Sequence, residues 1–157
     1  MTTDAPADLR DLWFLNTRVT IRVSARDGTD GIAVLEHRAA FGDSPPLHIH
    51  RDEDEIFHVL EGIVRYRVGE TDRIAGPGEI LLAPRGIPHS YRVESPEGAR
   101  MLTVTRGGFE AFVRSLGRPA AGAGLPIPAG PPSPAQADAL AQACLGFGIE
   151  LVGPPLG

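Results

Sequence analysis

The segment GDSPPLHIHRDEDEIFHVLEG, residues 42–62, holds two histidines one residue apart, His48 and His50. An unbroken acidic run, residues 52–55, follows them and leads into an apolar stretch closed by glycine. Charge clusters of this kind are ordinarily solvated, yet this one runs straight into a strand-like segment. It is therefore either a wet loop or the rim of a metal site. On an extended backbone, side chains two residues apart emerge on the same side, which places the His48 and His50 imidazoles together. A turn through residues 51–54 returns the chain so that Glu55 faces the same point. Asp52, Glu53 and Asp54 are expected to face solvent, where their negative field favours cation entry.

Farther along, GPGEILLAPRGIPHSYRV contains His89 directly after PRGIP, a tight turn in which Gly86 and Pro88 aim the ring. An HxH pair alone more often marks surface or supporting histidines. Three neutral imidazoles and a carboxylate, however, form a nitrogen and oxygen donor set suited to divalent Fe, Mn, Ni, Co, Cu or Zn.

The flanking sequence supplies the frame. Val19, Ile21 and Val23 alternate with Thr20 and Arg22, the period of a strand with one buried face. The turn ARDGTDG and the apolar GIAVLEHRAAF follow, and then short strand-like segments separated by Gly, Pro and Asp continue to Arg106. This density of short elements predicts an all-β sandwich or barrel. After Arg106 the period changes: Phe109, Phe112, Val113 and Leu116 define one face of a short helix ended by Gly117, with Glu110 and Arg114 pairing on its outer face. A Gly/Pro-rich strap precedes a second helix, with Ser133 as N-cap and Pro134 at its first position. That helix buries Ala137, Leu140 or Ala141, and Cys144, the last as a small hydrophobe.

Composition sets outer limits. A chain of 157 residues, 42% hydrophobic, is long enough for one domain with a real core. A formal charge of −5 offers no general attraction to nucleic acid or anionic lipid. The single cysteine forms no intrachain disulfide, the N-terminal MTTDAPADLRD lacks the basic head and apolar core of a signal segment, and no apolar run reaches membrane-spanning length. A cytoplasmic protein without nucleic-acid or membrane partners is expected.

The spacing Gly42-x5-His48-x-His50-x4-Glu55-x6-Gly62 resembles the first signature of the cupin superfamily, and Gly78-x5-Pro84-x-Gly86-x2-His89 resembles the second. The resemblance implies a double-stranded β-helix, a cupin jelly-roll barrel, in which His48, His50, Glu55 and His89 hold one divalent transition metal. It implies a single domain over residues 1–157, with a barrel core at about 17–106 and a helical, Pro/Gly-rich C-terminal cover at about 107–157. One position departs: the Asn that commonly ends the second signature is Val93, which packs where Asn hydrogen-bonds. LWFLNTRVTIRV, DEDEIFHVLEGIVRYRVG and the GFEAFVRSLG … LGFGIELVGPP tail are similar to small bacterial cupins grouped with quercetin 2,3-dioxygenase.

That group implies O2-dependent cleavage of an enol or aromatic, flavonol-like molecule, with Glu55 as ligand and general base. Strand alternation turns Phe57 and Val59 inward with Glu55, and Tyr91 and Val93 inward with His89. With Met101 and Thr103 they are expected to line the substrate cavity, while His58 and His37 are ordinary partly buried or surface histidines. The alternatives are a metal-dependent isomerase, cyclase or lyase that needs no O2, and a non-catalytic cupin that binds a small molecule or metal. Cupins commonly dimerise, so a homodimer is expected.

Overall fold

A computed structural model describes residues 9–157. Residues 1–8, part of the N-terminal stretch read above as no signal segment, lie outside the described residues. The strands are β1 (Asp11–Phe14), β2 (Thr17–Val23), β3 (Ala33–Ala39), β4 (Leu47–His50), β5 (Glu55–Glu61), β6 (Val64–Val68) and β7 (Thr71–Ala75). They continue with β8 (Ile80–Ala83), β9 (His89–Val93), β10 (Ala99–Thr105), the two-residue β11 (Arg118–Pro119) and β12 (Ile149–Gly153). Helix α1 (Gly108–Leu116) follows β10, and α2 (Pro134–Leu145) precedes β12.

The strands form two antiparallel sheets, one ordered β11-β1-β2-β3-β10-β5-β8 and the other β12-β4-β9-β6-β7. They face each other as the β-barrel jelly roll expected from the sequence. Alternation drives the arrangement: Val19 and Ile21 of β2, Leu35 and His37 of β3, Phe57 and Val59 of β5, and Met101 and Thr103 of β10 all turn inward and are buried. Gly62 closes the β5–β6 hairpin at φ +83°, and a Cβ there would collide with the Gly98 carbonyl. No residue but glycine fits that corner.

The interior divides into two apolar clusters. Phe57, Val59, Val64, Tyr66, Val93 and Met101 belong to one. Leu12, Phe14, Val19, Ile21 and Leu35 join Phe112, Val113, Cys144 and Ile149 in the other, so α1, α2 and β12 cover that side. Cys144 is buried as anticipated. The Ser133 hydroxyl accepts the Gln136 N–H at 3.2 Å while the Gln136 side chain accepts the Ser133 N–H at 2.9 Å, a complete capping box.

Two expectations about acidic residues need correction. Glu110 does pair with Arg114 at 2.9 Å, but on the inner side of α1: it is buried and accepts from the Ser24 hydroxyl and the Ala25 N–H, each at 2.7 Å. Glu53 does not face solvent either. Asp52 and Asp54 are exposed, whereas the Glu53 side chain folds under α1 and accepts the backbone N–H groups of Arg106 and Phe109, both at 2.8 Å. Among the described residues no helix is long and apolar enough to cross a membrane.

Candidate metal centre

The four candidate donors come from facing sheets. His48 and His50 lie on β4, and β4 pairs with β9 at a single register position, His48 opposite His89. Glu55 opens β5 in the other sheet, opposite Ala83. The Pro84–Pro88 turn is pinned to β4 by the Gly86 N–H, which donates to the His50 carbonyl at 2.9 Å. Gly86 sits at φ +81°, a conformation glycine adopts without strain.

These elements bring His48, His50, Glu55 and His89 together with one donor atom from each, all within 4.8 Å of one another. His50, Glu55 and His89 are buried and His48 is half-buried. Ring centroids lie 4.4 Å apart for His48 and His89 and 5.2 Å apart for each of the other two pairs.

The second nitrogens decide what the first can do. His48 Nδ1 lies 2.7 Å from the Pro46 carbonyl and His89 Nδ1 3.2 Å from that of Ile87. A carbonyl only accepts, so each Nδ1 carries a proton, and Nε2 is the nitrogen each of these rings can offer a metal. The Glu55 carboxylate faces the same point, its Oε2 3.0 Å from His89 Nε2 and 3.2 Å from His50 Nε2. His50 Nε2 is buried without a hydrogen-bond partner. Three imidazole nitrogens and a carboxylate converging on one point, with the buried His50 Nε2 left without a hydrogen bond, form an arrangement that a cation would satisfy. The donor set therefore fits a divalent transition metal.

In the metal-free chain the rings differ in protonation, and His50 must give up a proton before it can serve as a ligand. Burial, reinforced by repulsion from His89 and His50, pushes His48 down to about 3, so its ring is neutral. Burial opposes a charge on His50 as well, but the Glu55 and Glu53 carboxylates outweigh it and hold that ring up at about 9. Burial would raise Glu55, yet the His50 and His89 rings bring it well below the ordinary carboxylate value, so it is ionised at neutral pH.

The surroundings are aromatic on both sides. Phe57 presents its edge to His89 at 6.0 Å, and Phe109 of α1 meets His50 at 5.7 Å. Of the residues expected to line a substrate cavity, Phe57, Val59, Val93 and Met101 pack into the first core cluster, with Tyr91 against it. Tyr91 donates to Asp43 at 3.2 Å, and Tyr66 donates to the Met101 sulfur at 3.1 Å. Thr103 lies 3.1 Å from Nε2 of His37, which is buried and stacked on Phe109 at 5.8 Å. His58 is half-buried on the opposite face of β5. A cavity of about 330 Å³ opens beside the centre, lined by His50, Asp52, Glu53, Arg106, Gly108, Phe147 and Gly148.

Sequence reading missed Glu53 and Phe109 as neighbours of the centre. The Gly-Gly pair before Phe109 was the available signal for a close approach there: a Cβ on Gly108 would lie 3.1 Å from Glu53 Oε1.

Residues 36–105, which contain all four donors, match the Cupin domain family. Over that segment the barrel resembles cupin domains. Over 98 residues the chain is 33% identical to quercetin 2,3-dioxygenase of Bacillus subtilis strain 168, a match covering 62% of this chain and 29% of that enzyme. The chain thus spans less than a third of that relative's length. Among solved structures, a predicted oxalate decarboxylase of Thermotoga maritima superposes with TM-score 0.58 at 17% identity, over 65% of this chain and 96% of that one. The polyketide cyclase of Streptomyces resistomycificus gives 0.52 at 24%, over 67% and 78%. At these identities the likeness is one of fold.

Proposed function

We propose that this cupin is a metal-dependent dioxygenase. Its His48, His50, Glu55 and His89 hold one divalent metal, Fe, Ni, Mn, Co or Cu with Zn as a redox-inert substitute, and its substrate is an enol or aromatic, flavonol-like molecule that reacts with O2. The observation that carries the reading is the convergence of four buried or half-buried donors within 4.8 Å. The choice of oxygen chemistry leans on the 33% identity to quercetin 2,3-dioxygenase.

A metal bound there supplies Lewis acidity that eases ionisation of a substrate hydroxyl and, where redox-active, an electronic route to O2. The rest falls to the chain. Glu55, ionised at neutral pH, is placed to take the hydroxyl proton as general base. The resulting enolate is electron-rich; reaction with O2 inserts both oxygen atoms and breaks a carbon–carbon bond, consuming no separate reductant. In this reading Phe57 and Tyr91 would form the apolar wall toward the substrate, with Val59, Val93, Met101 and Thr103 behind them; all but Tyr91 are buried, which supports exclusion of water. Burial holds the Tyr91 hydroxyl well above its ordinary pKa, so it stays protonated and keeps its hydrogen bond to Asp43.

One observation favours a second reading. The cavity beside His50 is bordered by the charged side chains of Asp52, Glu53 and Arg106 as well as by Phe147. A lyase or cyclase acting without O2 on a small polar substrate suits it better than a flavonol does.

The test begins with metal content per chain, by plasma mass spectrometry, for the wild type and His50→Ala. Close to one redox-active ion per chain, lost in the variant, supports the centre. O2 uptake with flavonols then supports the dioxygenase, and turnover under argon supports the second reading. Failure of the wild type to hold any of the candidate ions after reloading overturns both.

A further inference from the structure

We infer that Glu53 is a positioning residue for the metal centre: its carboxylate orients the His50 ring and couples it to the N-terminus of α1. The inference rests on the metal reading above and deepens it.

The three imidazoles are not held alike. His48 and His89 each point Nδ1 at a backbone carbonyl, of Pro46 and Ile87 respectively. His50 Nδ1 faces a carboxylate oxygen instead, Glu53 Oε1 at 3.7 Å, an ion-pair distance longer than a hydrogen bond. Glu53 is only 7% exposed, in an acidic run whose neighbours Asp52 and Asp54 lie in solvent. Burying a carboxylate is costly unless its oxygens are engaged. Both are: Oε2 accepts the Arg106 N–H and Oε1 accepts the Phe109 N–H. Gly108 leaves the room, since a Cβ there would press on Oε1 at 3.1 Å.

Fixed by those two bonds, the carboxylate favours Nδ1 as the seat of the one proton His50 keeps once Nε2, the buried nitrogen without a hydrogen-bond partner, is given to a metal. A carboxylate behind a ligating histidine also makes the ring a stronger donor than a carbonyl does, and removing such a partner typically weakens metal binding about 10–100-fold. The same carboxylate seats Phe109, whose ring touches both His50 and His37. The seating of α1 and the aim of His50 are therefore set by one side chain.

The test uses the full chain and Glu53→Gln, which keeps the shape and one accepting oxygen but removes the charge. Zn²⁺ and Co²⁺ affinities are measured by competition with a chromophoric chelator, beside thermal unfolding of the metal-free proteins and imidazole ¹⁵N spectra of the Zn²⁺-loaded forms. The expected result is a loss of affinity of about 10–100-fold, with shifted nitrogen resonances for His50 and unchanged ones for His48 and His89. Wild-type affinity in the variant overturns the inference. If Glu53→Gln is also less stable, Glu110→Gln is the comparison, because it loosens α1 from Ser24 and Ala25 without touching His50. An equal loss of affinity in that variant assigns the effect to the helix and overturns the positioning role. Absence of Zn²⁺ or Co²⁺ binding by the wild type overturns the metal reading itself, and this inference with it.

Discussion

Inside the barrel, His37 is surrounded by neighbours that leave its ring neutral: Thr103 at 3.1 Å, the face of Phe109, and the apolar walls of β3 and β10. Burial, only partly opposed by Glu55 and Glu36, pushes it down to about 4 from an ordinary 6.5. The unfolded chain therefore holds a proton on His37 between those values that the folded chain does not, and stability falls as pH drops through that window. For the metal-free protein this residue accounts for about 2 kcal/mol of the stability lost between pH 7 and pH 5. Urea unfolding at both pH values is expected to give a smaller pH-dependent loss for His37→Gln than for the wild type; equal losses refute the assignment. At this scale the sequence was legible where a residue lies on a strand and opaque where it lies on a turn. Inward facing of Phe57, Val59, Tyr91 and Val93 follows from period 2 once Glu55 and His89 are placed. Glu53 has no such period to obey: its direction depends on the N–H groups of Arg106 and Phe109, more than fifty residues away.

Among the elements, α1 illustrates how a correct helix conceals a misplaced charge. Its apolar face was readable, and Phe112 and Val113 are buried as that face requires. Glu110 is next to that face, and nothing in the helical period reveals that Ser24 and Ala25 wait to bind it. Burial alone would raise its carboxyl, but the Ala25 N–H, the Ser24 hydroxyl and Arg114 more than compensate and hold it below 4.5. Hydrogen bonds to a charged group are worth about 1.5–3 kcal/mol each, so Glu110→Gln, which keeps the shape, is expected to cost about 2 kcal/mol at pH 7. A depressed carboxylate stabilises the fold above its unfolded pKa and loses that contribution as pH falls through its folded one. The gap between variant and wild type in chemical denaturation should therefore close in acid; a gap independent of pH refutes the charge-based account. The second helix was readable to its cap because Ser133 and Pro134 act locally. By contrast, β12 was not recognised as a strand. Its IELVG stretch is short, and only β4, a hundred residues earlier, shows that it completes the sheet carrying His48 and His50.

At the scale of the molecule, the candidate ligands connect the two halves of the barrel. Three stand on the five-stranded sheet and Glu55 stands on the seven-stranded one, so a bound ion cross-links layers otherwise held by side-chain packing. Anything that binds only the folded state stabilises it by mass action, about 2.7 kcal/mol at a free concentration of a hundred times Kd. For a chain of this length that corresponds to a rise in Tm of about 5–10 °C. Zn²⁺, Ni²⁺ or Co²⁺ should raise the Tm of the metal-free wild type by that amount and leave His50→Ala unmoved. The effect carries a pH signature. Without metal, His50 keeps a proton up to about 9 through its two carboxylate neighbours, so loading must expel it. Below that pH, affinity falls by up to tenfold for each unit, about 1.4 kcal/mol of stabilisation. Scanning calorimetry at a fixed free metal concentration is therefore expected to show a large shift at pH 8 that is nearly lost at pH 6. A shift of the same size at both values would mean that the ion binds without displacing the His50 proton, at a site other than the four converging donors.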